Sequence, residues 1–414
     1  MRRTRIVALL VDAGLGLAAC GTGSGGAGDE QATGDLGEVD LAGSLSPTEA
    51  TDAAAGLNAF GFDLHQGVAE PGENTVTSPL SAGVLLAMVA AGAGGDTAEE
   101  MVDVLRLGEP RDTRYAALLA DLGRASDVTF SAANSLWSAQ GVPFEADYLR
   151  FVADYYGATV DEVDLGGREA ADAIDDWVVD HTEGRIEGIA RELGLPDPAA
   201  VLVLLNTVYF RGTWTTTFDE ADTTDAPFTL ADGTVVRLPT MRRTDAAIAV
   251  GGGDGFRMAR LPYGGDERFG MEILLPDEGV ALDDLLADLD AGAWRAAVDS
   301  LGYGASLEVA LPSFELEWDA DLTEVLQALG MRSAFGGGDF TPMSSANPFL
   351  DTVVQKTYIR VDEQGTEAAA VTGGAMATSA GPSPFVVDRP FAFAVSDEET
   401  DTILFLGTVH DPRG

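Results

Sequence analysis

Three histidines (His65, His181 and His410) and one cysteine (Cys20) supply all the imidazole and thiol chemistry in 414 residues. Nucleophilic catalysis needs a base poised beside a Ser or Cys. On an α/β scaffold the Ser sits in a G-x-S-x-G turn, and no such turn occurs here. H-E-x-x-H, C-x-x-C and a Walker loop are absent too. His65 stands two residues from Asp63 in a helical pattern and reads as a surface residue. His410 follows the last strand pattern, in a tail. The histidines are therefore not expected to be catalytic, and neither a metal site nor a cofactor is expected. Gly21, Gly23 and Gly26 spell G-x-G-x-x-G, but no strand precedes them and no helix follows, so dinucleotide binding is not implied. One cysteine excludes a disulfide within the chain.

One stretch stands out for its lack of reactive side chains. EQGTEAAAVTGGAMATSAG, residues 363–381, is built of small residues and carries no charge after Glu367. Gly365 reads as a hinge. In a strand, alternate positions face one side. Thr366, Ala368, Ala370, Thr372, Gly374, Met376 and Thr378 would share one face, and every one is small or uncharged. That face could be buried without stranding a charge, which would cost several kcal/mol. Glu367, Ala369, Val371, Gly373 and Ala375 would form the other face, which tolerates water. The stretch can thus be a loop in one state and a central strand in another.

The elements that must hold this stretch are legible around it. Ser46-Pro47 with Glu49 marks a helix start, and Leu57, Phe60, Leu64 and Val68 recur at helical spacing. A second helix, from Pro79 to about Ala93, is apolar on nearly every side and should be buried. Helical patterns continue over 96–107, 113–124, 144–156 and 168–181. VLVLLNTVYF (201–210) is the continuous apolar, β-branched run of a strand buried on both faces. Further strands are expected at 256–262, 269–275, 307–314, 349–361, 391–396 and 402–409, with short helices near 282–299 and at 319–329. Helices come mostly first and strands later, which indicates the α+β class. No internal repeat or second linker divides the body, so residues 45–414 read as one domain.

The N-terminus differs. Arg2, Arg3 and Arg5 precede an apolar stretch ending Leu17-Ala18-Ala19-Cys20, the layout of a signal peptide over 1–20. It resembles the bacterial lipoprotein signal, in which the cysteine is lipidated. Asp12 interrupts the apolar segment. Residues 21–44, rich in Gly, Ser and acids, read as a flexible tether. A lipid-anchored or secreted protein outside the cytoplasm is expected. The net charge is −44 and Lys356 is the only lysine, so the surface repels phosphate backbones and nucleic acid is not an expected partner.

Four motifs, in order, resemble the serpin family, over nearly all of the chain from about residue 50 to Pro412. VDEQGTEAAAV resembles the proximal hinge of the family's reactive loop. NTVTSPLSAGVLLAM (74–88) resembles its second helix, LLNTVYFRGTWTTTF (204–218) the segment at the third strand of its large sheet, and VVDRPFAFAVSDEETDTILFLGTV (386–409) its C-terminal strand pair. The resemblance implies three β-sheets, about nine helices, an exposed reactive loop near 364–385 and a metastable native state. It implies suicide inhibition of a secreted serine protease, which cuts the loop and is trapped as a covalent acyl complex when the loop enters the large sheet. The family uses two serines, an asparagine and a histidine where the sheet opens. Ser78, Ser81 and Asn206 match, and Gln355 stands at the histidine position. Trp214 and Glu363 match at the head of the sheet, while the usual lysine partner of that glutamate is replaced by Ser313.

The resemblance places the reactive bond at Ser379–Ala380, with Met376, Ala377 and Thr378 as neighbouring candidates. The hinge comprises Glu363, Gly365, Thr366, Glu367, Ala368, Ala369 and Ala370. No Arg or Lys occurs from 364 to 388, which disfavours a trypsin-like target needing a cation. Elastase-like, subtilisin-like or chymotrypsin-like enzymes fit better. No basic helix lies near 111–124, so a heparin-like activator is not expected, and a monomer is. The alternative is a non-inhibitory relative acting as a binding or scaffold protein at the cell surface.

Overall fold

A computed structural model describes residues 5–14, 45–182, 184–245, 248–303, 307–365 and 384–414. Its first sheet has six strands in the order β13-β14-β1-β5-β3-β4. These are β1 (Arg5–Gly14), β3 (Thr129–Ala139), β4 (Thr159–Val163), β5 (Ala200–Arg211), β13 (Phe314–Asp321) and β14 (Phe349–Val361). The second sheet, antiparallel throughout, runs β11-β8-β9-β10-β16-β17-β2. It uses β2 (Thr75–Thr77), β8 (Ala249–Gly253), β9 (Phe256–Tyr263), β10 (Phe269–Pro276), β11 (Gly302–Tyr303), β16 (Phe391–Asp397) and β17 (Ile403–Val409). The third runs β15-β12-β7-β6, from β6 (Thr224–Thr229), β7 (Val235–Asp245), β12 (Leu307–Pro312) and β15 (Phe385–Val386).

Among the described residues there are ten α-helices. They are α1 (Pro47–Val68), α2 (Pro79–Ala90), α3 (Gly95–Leu105), α4 (Arg114–Leu122), α5 (Ala146–Tyr156), α6 (Arg168–His181), α7 (Ile189–Glu192), α8 (Leu282–Leu286), α9 (Ala291–Asp299) and α10 (Thr323–Leu329). Helix α1 starts where its sequence says it should. Ser46 Oγ accepts from the Glu49 N–H, and the Glu49 carboxylate accepts from the Ser46 N–H at 2.9 Å, a capping box. Helix α2 has no polar face, and all twelve of its residues are buried. It packs against β5 and β17, so it lies between the first two sheets at the centre of the main core. A second core forms where α6 and α7 cover Trp137, Val203, Leu205 and Tyr209 of the large sheet. A third lies beneath α8 and α9, around Phe62, Met258, Leu274 and Trp294.

Several elements differ from the sequence reading. Residues 319–321 end a strand, β13, and the helix begins only at Thr323. Phe314 and Leu316 are buried and Trp318 and Ala320 half-buried, while Glu315, Glu317, Asp319 and Asp321 between them are exposed. That period of two is an edge strand with one wet face. The sequence pattern does not mark β2, β3, β4, β6, β7, β8, β11 or β15 as strands. His65 is buried, not a surface residue, because α1 is covered on that side by β2. His65 Nδ1 lies 2.9 Å from Thr77 Oγ1. His410 is also buried rather than in a free tail, with Nε2 3.2 Å from the Asp283 carboxylate at the start of α8.

The N-terminal segment holds the largest surprise. Residues 5–14, read from sequence as the apolar part of a leader, form a strand in the middle of the large sheet. β1 runs parallel to β14 on one side and to β5 on the other. Its sequence, RIVALLVDAG, includes Ile6, Val7 and Val11, β-branched residues that suit a pleated ladder.

Candidate functional site

β14 and β5 run parallel to each other but do not pair. They flank a slot one strand wide, about 10 Å between their axes from the usual inter-strand spacing. The N-terminus of α2 is fastened to both banks of this slot. Ser81 Oγ donates to Asn206 Oδ1 on β5 at 2.5 Å. On the other bank, Gln355 Nε2 donates to the Ser78 carbonyl at 3.0 Å, and the Ser78 N–H points back to Gln355 Oε1 at 3.4 Å. Ser78 Oγ meanwhile caps α2 by accepting from the Ser81 N–H at 3.2 Å. Asn206 and Gln355 stand at the same level, each in register with Leu10 of β1.

All four of these side chains are fully buried. Polar groups at such depth must be satisfied by one another, and the chain continues on that principle. Asn206 Nδ2 donates to Asn134 Oδ1 on β3 at 2.7 Å, and Asn134 Nδ2 donates to the Tyr156 carbonyl at the end of α5, also at 2.7 Å. Asn134 was missed in the sequence. Its only signal there is a polar residue within a run of small and apolar ones, AANSLW. Gln355 supplies one donor and one acceptor, as a neutral imidazole would, so the bank is held by a group that does not titrate.

At the head of the slot, past Gly14 and Phe210, the hinge is clasped. Trp214 Nε1 donates to the Asp362 carbonyl at 3.0 Å, and the Trp214 N–H to the Gln364 carbonyl at 3.1 Å. The Phe218 N–H donates to the Glu363 carbonyl at 2.8 Å. The Trp214 ring is buried and stacks on Tyr263, with centroids 4.3 Å apart and planes 11° from parallel. Burial pushes the Tyr263 phenol well above its usual range. The Glu363 carboxylate accepts from Thr223 Oγ1 at 2.7 Å. A hydroxyl from the turn before β6 thus serves where the resemblance implied a lysine, and Ser313 instead donates its N–H to the Pro239 carbonyl.

Gly365 ends the described part of the hinge. It has φ +92°, and a Cβ there would lie 2.4 Å from the Trp214 nitrogen. Only glycine fits so close to another backbone in that conformation. Thr366, Glu367, Ala368, Ala369 and Ala370 lie outside the described residues, as do the reactive-bond candidates Met376, Ala377, Thr378, Ser379 and Ala380, and the lipidation candidate Cys20. The chain is next described entering β15, which pairs with β12 at the edge of the third sheet. Among the described residues no His/Cys/Asp/Glu cluster suits a metal, and no helix is long and apolar enough to cross a membrane.

Comparison with known proteins agrees with this arrangement. The family model described as Serpin (serine protease inhibitor) matches residues 55–412. A serpin-like, uncharacterized protein of Thermococcus kodakarensis is 36% identical over 370 residues, covering 86% of this chain and 85% of its own. The leukocyte elastase inhibitor of Sus scrofa is 32% identical over 380 residues, 85% of this chain and 97% of its own. Among solved structures, the thermophilic serpin tengpin in its native state superposes with a TM-score of 0.78 at 26% identity, over 91% of this chain and 99% of its own. Human thyroxine-binding globulin, complexed with thyroxine, shares the fold, with a TM-score of 0.78 at 24% identity over 88% of this chain and 100% of its own. With the three sheets, the clasped hinge and a family match over most of its length, the chain belongs to the serpin family.

Proposed function

We propose that the protein inhibits serine endopeptidases as a suicide substrate. The observation that carries this reading is the slot. A ten-residue strand fits between β5 and β14, and the loop that begins at Gly365 leaves from the head of that slot. The protease's serine oxygen bonds the Ser379 carbonyl carbon. The bond to the Ala380 nitrogen breaks, and that nitrogen leaves as an amine carrying the serine's proton, delivered through the protease's histidine. The new ester would ordinarily be hydrolysed by water. Here the freed loop, hinged at Gly365 and led by Thr366, Ala368 and Ala370, enters the sheet antiparallel to β14 and carries the protease along before water attacks. Ser78, Ser81, Asn206, Gln355 and Trp214 govern how the banks part. This chain contributes the substrate and no catalytic group.

The target has a small or apolar specificity pocket, of elastase-like, subtilisin-like or chymotrypsin-like kind, since 364–388 holds no Arg or Lys. The pig relative is named as an elastase inhibitor. The protein acts as a monomer outside the cytoplasm, tethered by lipid on Cys20. Cys20→Ser should release it from the membrane fraction, and unchanged fractionation would remove the anchor from this account. The central test is incubation of the processed chain, cut ahead of Cys20, with a panel of such proteases, followed by a denaturing gel. An SDS-stable complex of the summed mass is expected. Loop cleavage without any complex, across the panel, would favour a non-inhibitory binding protein.

A further inference from the structure

The geometry points to a self-blocking precursor, in which residues 5–14 occupy the slot that the reactive loop must enter and keep the unprocessed chain from trapping a protease. The inference rests on the inhibitory reading above. β1 pairs over nine positions with β14, from Arg5 opposite Phe349 to Ala13 opposite Tyr358. It pairs over ten with β5, from Arg5 opposite Ala200 to Gly14 opposite Phe210. It therefore spans the slot from foot to head and ends below the Trp214 clasp. Leu10 stands between Asn206 and Gln355, the two bank residues fastened to α2.

A loop entering from Gly365 must turn back beside β14 and would run antiparallel to it. β1 is parallel to both neighbours. The two strands would need the same N–H and C=O groups of β5 and β14, so they exclude each other. In the uncut chain the loop is also held at both ends, by the Gly365 clasp and by the pairing of β15 with β12. The segment 5–14 pairs with both banks and so fills the slot while the loop is intact. Cutting the chain ahead of Cys20 removes the segment entirely and leaves the slot to the loop. Processing at the lipoprotein-type signal and arming of the inhibitor become one event.

The test uses the full 414-residue chain, made without export so that it is not processed. Leu9→Pro is the companion variant. Proline has no N–H to give and cannot sit in a strand paired on both sides, so it expels β1 without touching the loop or the banks. Hydrogen exchange should show residues 5–14 protected in the parent chain and exchanging freely in the variant. With subtilisin or elastase, the parent should be cut in the loop and release active protease. Leu9→Pro should form the SDS-stable complex, with at least an order of magnitude fewer inhibitor molecules consumed per protease trapped. Unprotected exchange over 5–14 in the parent overturns the inference, as does a parent that traps as well as Leu9→Pro. Protection over 5–14 with no complex from either chain sinks the inhibitory reading and the regulatory role together, leaving only the strand.

Discussion

At Gly365 the backbone conformation and the nearby Trp214 nitrogen both exclude a side chain. Gly365→Ala should strain the clasp by roughly 1–3 kcal/mol, lower the thermal midpoint of the intact protein and shift the Trp214 fluorescence. An unchanged spectrum and midpoint would show that the hinge has room the geometry denies. His65 makes a different kind of prediction. Burial lowers its pKa from 6.5 to about 4, so the folded state refuses a proton that the unfolded chain accepts. The folded value is the depressed one, and the protonated species is the disfavoured one. Its contribution is therefore full above pH 6.5 and is lost as pH falls toward 4, by about 3 kcal/mol at most. In urea titrations, His65→Gln should flatten the loss of stability between those pH values. Parallel curves for parent and variant would assign the acid limb to other groups. Some of these residues were legible in the sequence. Ser46 with Glu49 spelled a capping box, and Ser78, Ser81 and Asn206 stood out by resemblance. Asn134 and Thr223 were not legible, because their roles depend on partners 72 and 140 residues away.

Among the elements, the apolar runs were easiest to read. A helix with no wet face, α2, and a strand buried on both sides, β5, announce themselves by composition. Strands such as β3 and β7 did not, since Ser131, Asn134 and Ser138, or Arg237, Arg242 and Arg243, break any clean alternation. Tertiary pairing made them strands: β3 is matched to β5 along ten positions. On the proposed mechanism, the hinge from Glu363 to Ala370 is the element on which inhibition turns. In the processed chain, Thr366 would be the first side chain to pass between β5 and β14, where the banks present Phe210 and Tyr358, both buried. Thr366→Arg asks a guanidinium to enter that site, at a cost of several kcal/mol. Insertion should then be slower than hydrolysis of the acyl-enzyme. The variant should be cut at the same bond, at a similar rate, yet release active protease. A Thr366→Arg chain that still traps its target one for one would exclude loop insertion as the mechanism.

For the molecule as a whole, the prediction concerns stored energy. On the proposed mechanism, about 15 loop residues entering the sheet, at roughly 0.5–1.5 kcal/mol for each hydrogen bond, would release on the order of 10–20 kcal/mol. On that mechanism the uncut loop would withhold that energy kinetically. Nicking the processed chain between Gly374 and Ala380 should raise its thermal midpoint by roughly 10–25 °C for a domain of this size. Equal midpoints for intact and nicked protein, followed by circular dichroism, would mean that the cut loop stays outside the sheet.

What the sequence determined by itself was local or compositional. Helix starts, buried runs, the acidic surface and the charge-free ribbon from Thr366 onward depend only on neighbours a few positions away. The four motifs then placed the chain in its family. What only the tertiary structure decided was pairing across long separations: that α2 clamps both banks of one slot, that Thr223 answers Glu363, and that His65 and His410 are enclosed. The slot shows the reason most clearly. RIVALLVDAG serves equally as a leader's apolar stretch or as a strand, since both need only a short apolar run. What makes it a strand here is two unpaired ladder edges, on β5 and β14, which come together only when the rest of the chain has folded.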